Sequence, residues 1–406
     1  MSQSTDPFTR WSVVAAGQGG GRIASQFFER SENPGIDERI LVINTNRSDI
    51  RNTIRRIQDE MQLESVEDVW DQYALEFGSE GGAGNQFAKG EQLARESFDR
   101  IMNDGLVRSR FAGTDAIMHM ATLGGGTGNG SIPYIIQRFK SDISQKFEQS
   151  WLPNVTHTSF AVWPYYSEPP QRHFNAVCGL SRLLRQSDGQ QNADMVLLAA
   201  NSHLDDDENR NDYARVNERI ITAVDMMLGA GRDTQGVIDV QDYVSIPSQL
   251  GAYHFTPAVK VGANADMFEL DYIFEQAAKN AFVPLDVGTA RVTFAIVRAP
   301  ESMIHAGDIT EPDVNNALDA WQDSHGISAP GMTSLTPKRE PGSDVDVLML
   351  LGGFDLGPLL DHSWDQYESH KQNVQRARSL GNSILSQSEL QRIEDNLLEY
   401  RELNEE

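Results

Sequence analysis

Apolar residues in the first two hundred positions gather into short continuous runs. WSVVAA (11–16), RILVINT (39–45), DAIMHMATL (115–123), TSFAVWP (158–164) and DMVLLAAN (194–201) each break off at polar or glycine-rich sequence. Short runs without polar alternation predict strands buried on both faces. Between them apolar residues recur at helical spacing, as in Ile50, Ile54, Ile57 and Met61, which predicts helix over 50–75. A further helix begins at IASQFFER, after GQGGGR (17–22). Strands alternating with helices predict an α/β fold with a doubly wound, mostly parallel sheet and a ligand at the carboxyl ends of its strands.

The pattern changes after residue 205. DDDEN (205–209) reads as an acidic loop, and NDYARVNERIITAVDMMLGAG as a long helix ended by glycine. YHFTPAVKVG, TARVTFAIVRA and DVDVLMLLGG read as strands around a helix at 269–282, a smaller α/β domain. The Pro-, Gly- and Ser-rich segment 326–344 reads as a loop, and 357–406 as a polar, mostly helical tail that ends acidic. The expected organisation is 1–205, a ligand-binding domain; 206–232, a central helix; 233–356, a second domain; and 357–406, the tail.

Charge narrows the partners. With 59 acidic and 34 basic residues the net charge is −25, which argues against nucleic acid or an anionic membrane as the main partner. Only seven of the basic residues are Lys. An acidic, lysine-poor surface suits a salt-loaded cytoplasm, where the Debye length shrinks to roughly 3 Å; the alternative is an ordinary acidic protein. No run of 18 apolar residues predicts a membrane span. MSQSTDPFTRW has no basic segment followed by an apolar one, so no secretory signal is expected. The single Cys178 fits a reducing, cytoplasmic setting. The histidines and the cysteine show no zinc spacing, so no metal-ligand set is expected from side chains alone. His119, inside a predicted strand, reads as core.

Candidate chemistry concentrates in ATLGGGTGNGSIPY (121–134), where five of the seven residues from Gly124 to Gly130 are glycine. Glycine in a regular element costs roughly 0.5–1 kcal/mol against alanine, so the run needs a reason, and close approach to a phosphate is a common one. The P-loop pattern fails because Ser131 stands where lysine is required. The dinucleotide pattern fails at its third glycine, where Arg22 follows Gly17 and Gly19, and Asn44 and Asn46 end the second strand instead of a ribose-binding carboxylate. Yet three glycine-rich loops, at 17–22, 81–85 and 124–130, follow successive strands. Together they can wrap a di- or triphosphate in backbone N–H groups.

GGGTGNG (124–130) resembles the GGGTG[ST]G signature of the tubulin and FtsZ superfamily of self-assembling GTPases, with Asn129 in place of Ser or Thr. GQGGGR is similar to that family's first phosphate loop, NTN (44–46) to its NTD motif and GGAGN (81–85) to its γ-phosphate loop. VWPYYSEPPQR (162–172) looks like the ribose loop, Asn201 falls at the base-reading asparagine, and Tyr213, Asn217 and Glu218 match [FY]xxxN[DE]. AAKNAFVPL (277–285) resembles AxxNPLL. The resemblance covers about residues 11–300, and extends to 356 by the pattern of strands.

The resemblance implies GTP or GDP as ligand, with Mg²⁺. It implies phosphate contacts from Gly19, Gly20, Gly21, Arg22, Gly82, Ala83, Gly84, Asn85, Gly124, Gly125, Gly126, Thr127, Gly128, Asn129 and Gly130. Ribose and phosphate fall to Glu168 and Arg172, and guanine to Asn44, Asn201, Tyr213 and Asn217. Each has an ordinary alternative: an i,i+4 Glu–Arg pair is usually a minor salt bridge, and a Tyr and Asn four apart usually helix surface. Asp239 and Asp242 keep the D-x-x-D spacing of the loop that, in the family, completes the site of the next subunit, with Val237 where the motif has asparagine. Two carboxylates three apart can orient an attacking water, though an acidic turn is common in so acidic a chain. The expected function is a GTPase that stacks head to tail into filaments, FtsZ-like or CetZ-like, in cell division or cell shape. Further partners would be related FtsZ-like proteins or a membrane-anchoring adaptor. A GTP-binding regulator that does not polymerise is the alternative.

Overall fold

A computed structural model describes residues 9–29, 36, 39–78, 81–141, 146–147, 149–187, 189–205, 211–229, 238–329, 331–338, 341–381 and 384–401. Val237 and most of the acidic loop at 205–209 lie outside them. The chain divides into two compact units, one of residues 11–221 and 356–406, the other centred on 222–355.

The first unit opens with β1 (Trp11–Ala16), α1 (Gly17–Ser25), β2 (Ile40–Asn44), α2 (Arg47–Met61), α3 (Val66–Tyr73) and β3 (Ala74–Glu76). It continues with α4 (Phe87–Asn103), α5 (Gly105–Phe111), β4 (Ala116–Thr122), α6 (Thr127–Phe139), β5 (Thr156–Trp163) and α7 (Pro170–Leu183). The short β6 (Gln186–Ser187) and β7 (Gln190–Gln191) pair as a ribbon, followed by β8 (Met195–Ala200), α8 (Asn201–Leu204) and α9 (Tyr213–Gly229). Six strands lie in the order β8-β5-β4-β1-β2-β3, and every pair is parallel. The continuous apolar runs are thereby explained: β1, β2 and β8 are buried at every position. Chain order reverses between β1 and β4, so the loops after these strands spread apart and leave a crevice. His119 is buried core: its Nε2 lies 3.2 Å from His157 Nδ1, and His157 Nε2 lies 2.9 Å from the Leu152 carbonyl.

The second unit holds α10 (Asp242–Gln249), β9 (His254–Asn264), α11 (Leu270–Ala278), β10 (Val292–Pro300), α12 (Glu301–Ala306), α13 (Glu311–Ser324), β11 (Gly331–Lys338) and β12 (Asp344–Gly352). Its strands run in the order β11-β10-β12-β9, with only β10 and β11 parallel. Phe274, Val314, Leu318 and Trp321 from α11 and α13 pack on one face. The segment 326–344, expected as a loop, instead contains the eight-residue strand β11. Its sequence GMTSLTPK carries Pro337, which an edge strand tolerates because one side needs no N–H donor. Thr333, Ser334 and Thr336 are buried there despite their polarity.

The tail forms α14 (Gly357–Ser379) and α15 (Gln387–Arg401), both packed on α7 in the first unit. Tyr367 stacks on Phe174 with ring centroids 5.3 Å apart, and the Tyr400 hydroxyl donates to the Leu184 carbonyl at 3.0 Å. Glu389 accepts from both Arg182 and Arg185. No helix among the described residues is long and apolar enough to cross a membrane.

Candidate functional site

A cavity of about 360 Å³ opens at the carboxyl ends of the parallel strands of the first unit. Its floor is two helix starts. Helix α1 begins at Gly17, directly after β1, and α6 begins at Thr127; neither has a side-chain cap. Their first-turn N–H groups are therefore left for a ligand, and the helix dipoles favour an anion. Gly17 has φ +72°, and a Cβ there would stand 2.9 Å from the Gly128 nitrogen, so only glycine lets the two starts meet.

Of the loop residues expected at phosphate, Gly19, Arg22, Gly82, Ala83, Gly84, Asn85, Gly124, Gly125, Gly126, Thr127 and Gly128 line this cavity. Gly20, Gly21, Asn129 and Gly130 are not part of its lining and are closely packed. A Cβ on Gly20 would stand 2.3 Å from the Met120 carbonyl oxygen, and one on Gly130 2.0 Å from that of Phe87. One on Gly21 would meet Thr53 Oγ1 at 2.8 Å. These glycines seat α1 on β4 and α2, and α6 on α4. What reads as loop in the sequence is thus partly the first turns of helices.

The third wall is the 81–85 loop, in which Gly81, Gly82, Gly84 and Asn85 all have positive φ. Asn175 on α7, which the sequence did not single out, holds it in place. Its Nδ2 donates to the Asn85 carbonyl at 2.7 Å and to the Gly124 carbonyl at 3.0 Å. The loops at 81–85 and 124–128 are thereby tied to one buried amide.

Asn44 lines the cavity, but its Oδ1 accepts from the Thr45 and Asn46 N–H groups at 2.8 and 3.2 Å. That use closes the turn after β2 and leaves no free oxygen pointed at a base edge. Asn46 caps α2, accepting from Ser48 and Asp49 N–H at 2.9 and 3.2 Å. Asparagine thus serves as well as aspartate for the cap. Asp49, unanticipated, lines the same wall; burial pushes its carboxyl up, while Arg22 and a hydrogen bond from Asn44 pull it down. The only sequence signal for Asp49 is its place in the first turn of the helix after NTN.

On the opposite side Glu168 and Arg172 form an ion pair at 2.7 Å, with the Glu168 side chain 9% exposed. Glu168 Oε1 also accepts from the Tyr165 N–H at 3.0 Å. Asn201, the first residue of α8 directly after β8, and Tyr213 and Asn217, one turn apart on α9, complete the lining. The two asparagines are buried while Tyr213 is 39% exposed. Among the described residues, neither the Asn201 nor the Asn217 carboxamide has a protein hydrogen-bond partner. Burial and the neighbouring Glu168 raise the Tyr213 hydroxyl above its ordinary value, keeping it neutral. Tyr165 meets Tyr213 edge-on at 5.1 Å.

Asp239 and Asp242 belong to the second unit. Asp239 Oδ1 accepts from the Gln241 and Asp242 N–H groups at 2.7 and 3.0 Å, and Asp242 Oδ2 from the Asp239 N–H at 2.9 Å. The pair caps its own turn at the start of α10, one oxygen of each carboxylate being so used. No cluster of three or more His, Cys, Asp or Glu able to hold a metal ion occurs among the described residues. A Mg²⁺ ion needs only one or two carboxylates when phosphates supply other ligands, and Asp49 offers one.

Residues 10–207 match the Tubulin/FtsZ family, GTPase domain. Over 107 residues the chain is 36% identical to Cell division protein FtsZ 1 of Pyrococcus woesei, covering 26% of this chain and 25% of that protein. It is 24% identical to Tubulin-like protein TubZ of Clostridium botulinum C phage over 232 residues, 56% of this chain and 54% of the other. These matches span about a quarter and about half of the relatives' lengths. Among solved structures, CetZ2 from Haloferax volcanii, a GTPgS bound protofilament, superposes with a TM-score of 0.68 at 19% identity, over 90% of this chain and 99% of that one. CetZ from Methanosaeta thermophila gives 0.68 at 17% identity, over 98% and 99%. The FtsZ dimer from M. jannaschii gives 0.60 at 18% identity, over 86% and 89%.

Proposed function

We propose that this chain, which carries a GTPase domain of the tubulin/FtsZ family, binds GTP in the first-unit cavity and assembles head to tail into filaments. The supporting observation is one convergence: two uncapped helix starts and the left-handed 81–85 loop meet, in one cavity, a pair of buried asparagines whose carboxamides have no hydrogen-bond partner among the described residues. Anion-seeking N–H groups and a hydrogen-bonding wall suited to a planar base are the two halves of a nucleotide site.

In this reading the 17–19, 82–85 and 124–128 backbones hold the phosphates, and Arg22 and Arg172 offset their charge. Glu168 orients Arg172 and reaches the ribose. Asn201 and Asn217 each present a donor and an acceptor to guanine, with Tyr213 against its face. Asn44 organises the phosphate wall. Asp49 holds Mg²⁺, which when bound neutralises phosphate charge. Asp239 and Asp242, with the carboxylate oxygens not used in their turn, orient water at the γ-phosphate of the adjoining copy. A heterologous contact of this kind does not close on itself and gives filaments, which serve cell division or cell shape in a salt-rich cytoplasm. Adaptors or related filament proteins would be further partners.

The self-capped Asp239–Asp242 turn supports the second reading, a GTP-binding regulator that does not polymerise. The two separate by phosphate release and light scattering, followed together across protein concentration in molar KCl with Mg²⁺. Turnover per subunit that climbs with scattering above a critical concentration supports the filament. Tight GTP binding with flat, negligible turnover and no scattering leaves the regulator.

A further inference from the structure

The tail helix α14 grips one segment of the cavity wall. Trp163 ends β5 and His173 lies in the first turn of α7, so the two bracket Pro164–Arg172, the stretch that carries Glu168 and Arg172. Both turn to the same hydroxyl. Trp163 Nε1–H donates to Ser363 Oγ at 2.8 Å, and Ser363 Oγ lies 2.8 Å from His173 Nδ1. All three residues are fully buried. A serine hydroxyl has one proton and two lone pairs, so Ser363 Oγ accepts from the indole and shares a second hydrogen bond with Nδ1 of a neutral imidazole, as donor or as acceptor according to the tautomer. Burial, which lowers the His173 pKa, agrees with that form.

The neighbouring residue repeats the contact from outside. His362, exposed on α14, stacks on Tyr166 in the middle of the segment, with centroids 4.7 Å apart and planes 20° from parallel. Tyr367, one turn further on, stacks on Phe174 just past it. The start, middle and end of the segment are therefore each held by α14, at the side chains that precede, lie within and follow the Glu168–Arg172 pair.

We propose that Ser363 and His362 are positioning residues for nucleotide binding, holding Pro164–Arg172 so that Arg172 stands at the phosphates; this rests on the GTP reading above. Alanine at 363 would leave the indole N–H and the imidazole nitrogen without a partner in a dry site, and the segment would relax toward water. The polar tail would then be part of the nucleotide site rather than an appendage to it.

The test is a double-mutant cycle on the full chain, read as GTP affinity by equilibrium binding in molar KCl with Mg²⁺, at a temperature where circular dichroism shows every variant folded. Ser363→Ala is expected to weaken GTP about tenfold, and His362→Ala, at an exposed site that does not endanger folding, about threefold. In the Arg172→Ala background both losses should largely vanish, because the residue they position is gone. Losses that persist undiminished beside Arg172→Ala, or variants that bind as the parent does, overturn the proposal. Should Ser363→Ala fail to fold, His362→Ala alone decides. Parent protein that binds no GTP overturns the GTP reading itself, a result distinct from either.

Discussion

Asn129 donates through Nδ2 to the backbone carbonyl of Asn175 at 2.7 Å, and its carboxamide fills space that only a glycine at 179 leaves open. A Cβ on Gly179 would stand 1.6 Å from Asn129 Oδ1. The Asn129 amide and the bare helix face at Gly179 thus depend on one shared space. The amide also steadies Asn175, whose side chain ties the 81–85 and 124–128 loops together.

Gly179→Ala alone is therefore expected to destabilise the protein by about 1–3 kcal/mol through overpacking. Asn129→Ser in the same chain should recover most of that loss. Urea unfolding of both single variants and the pair decides the matter: additive effects would show that the two sites do not share the space.

Strands β1, β2, β4, β5 and β8 were legible because each is covered on both faces and needs an uninterrupted apolar run, whereas the short β3, β6 and β7 carry no such run. Strand β11 was not, since an edge strand with Thr, Ser and Pro carries the composition of a loop. The cavity was legible from its glycines, but Gly20, Gly21 and Gly130 look the same in sequence whether they face a phosphate or a neighbouring carbonyl. Asn175 and Asp49 were silent because nothing local marks a side chain that acts across the fold. Ser363 lies nearly two hundred residues from both its partners in the chain.

The Asn201 and Asn217 carboxamides predict base selectivity. Replacing Asn217 by Ala should weaken GTP by about tenfold or more, the loss of one or two buried hydrogen bonds, while stability changes little because no partner among the described residues is stranded. The discriminating measurement is the ratio of GTP to ITP affinity. An asparagine that reads the exocyclic amine should lose that preference when removed; an unchanged ratio would place Asn217 away from that edge.

Asp239→Ala and Asp242→Ala test hydrolysis and folding at once. Each removes a carboxylate acceptor from the turn that leads into α10, for which about 1 kcal/mol of stability is expected to go. If the same carboxylates also orient water in an adjoining copy, phosphate release should fall by about a hundredfold or more with GTP affinity unchanged. Thermal melts and turnover on the same samples separate the two. Lost stability with full turnover would confine both residues to their turn.

The histidine pair in the first unit predicts an acid limit. Burial, offset in part by Asp194 and the Leu152 carbonyl, lowers the His157 pKa from 6.5 to about 4. His157 Nε2–H donates to Leu152 O, so Nδ1 accepts from His119 Nε2–H, and both rings are neutral. The unfolded chain takes up a proton at His157 below pH 6.5 while the folded chain resists until about 4. Stability from this residue is thus whole above the first value and falls through that window at about 1.4 kcal/mol per pH unit. It levels once both states are protonated. Carboxylate protonation acts over overlapping pH values in so acidic a chain, so the readout is a difference. The stability gap between the parent and His157→Gln, from urea unfolding at half-unit steps, should narrow as pH falls through that window. A gap that stays constant would mean that His157 holds its ordinary pKa inside the fold.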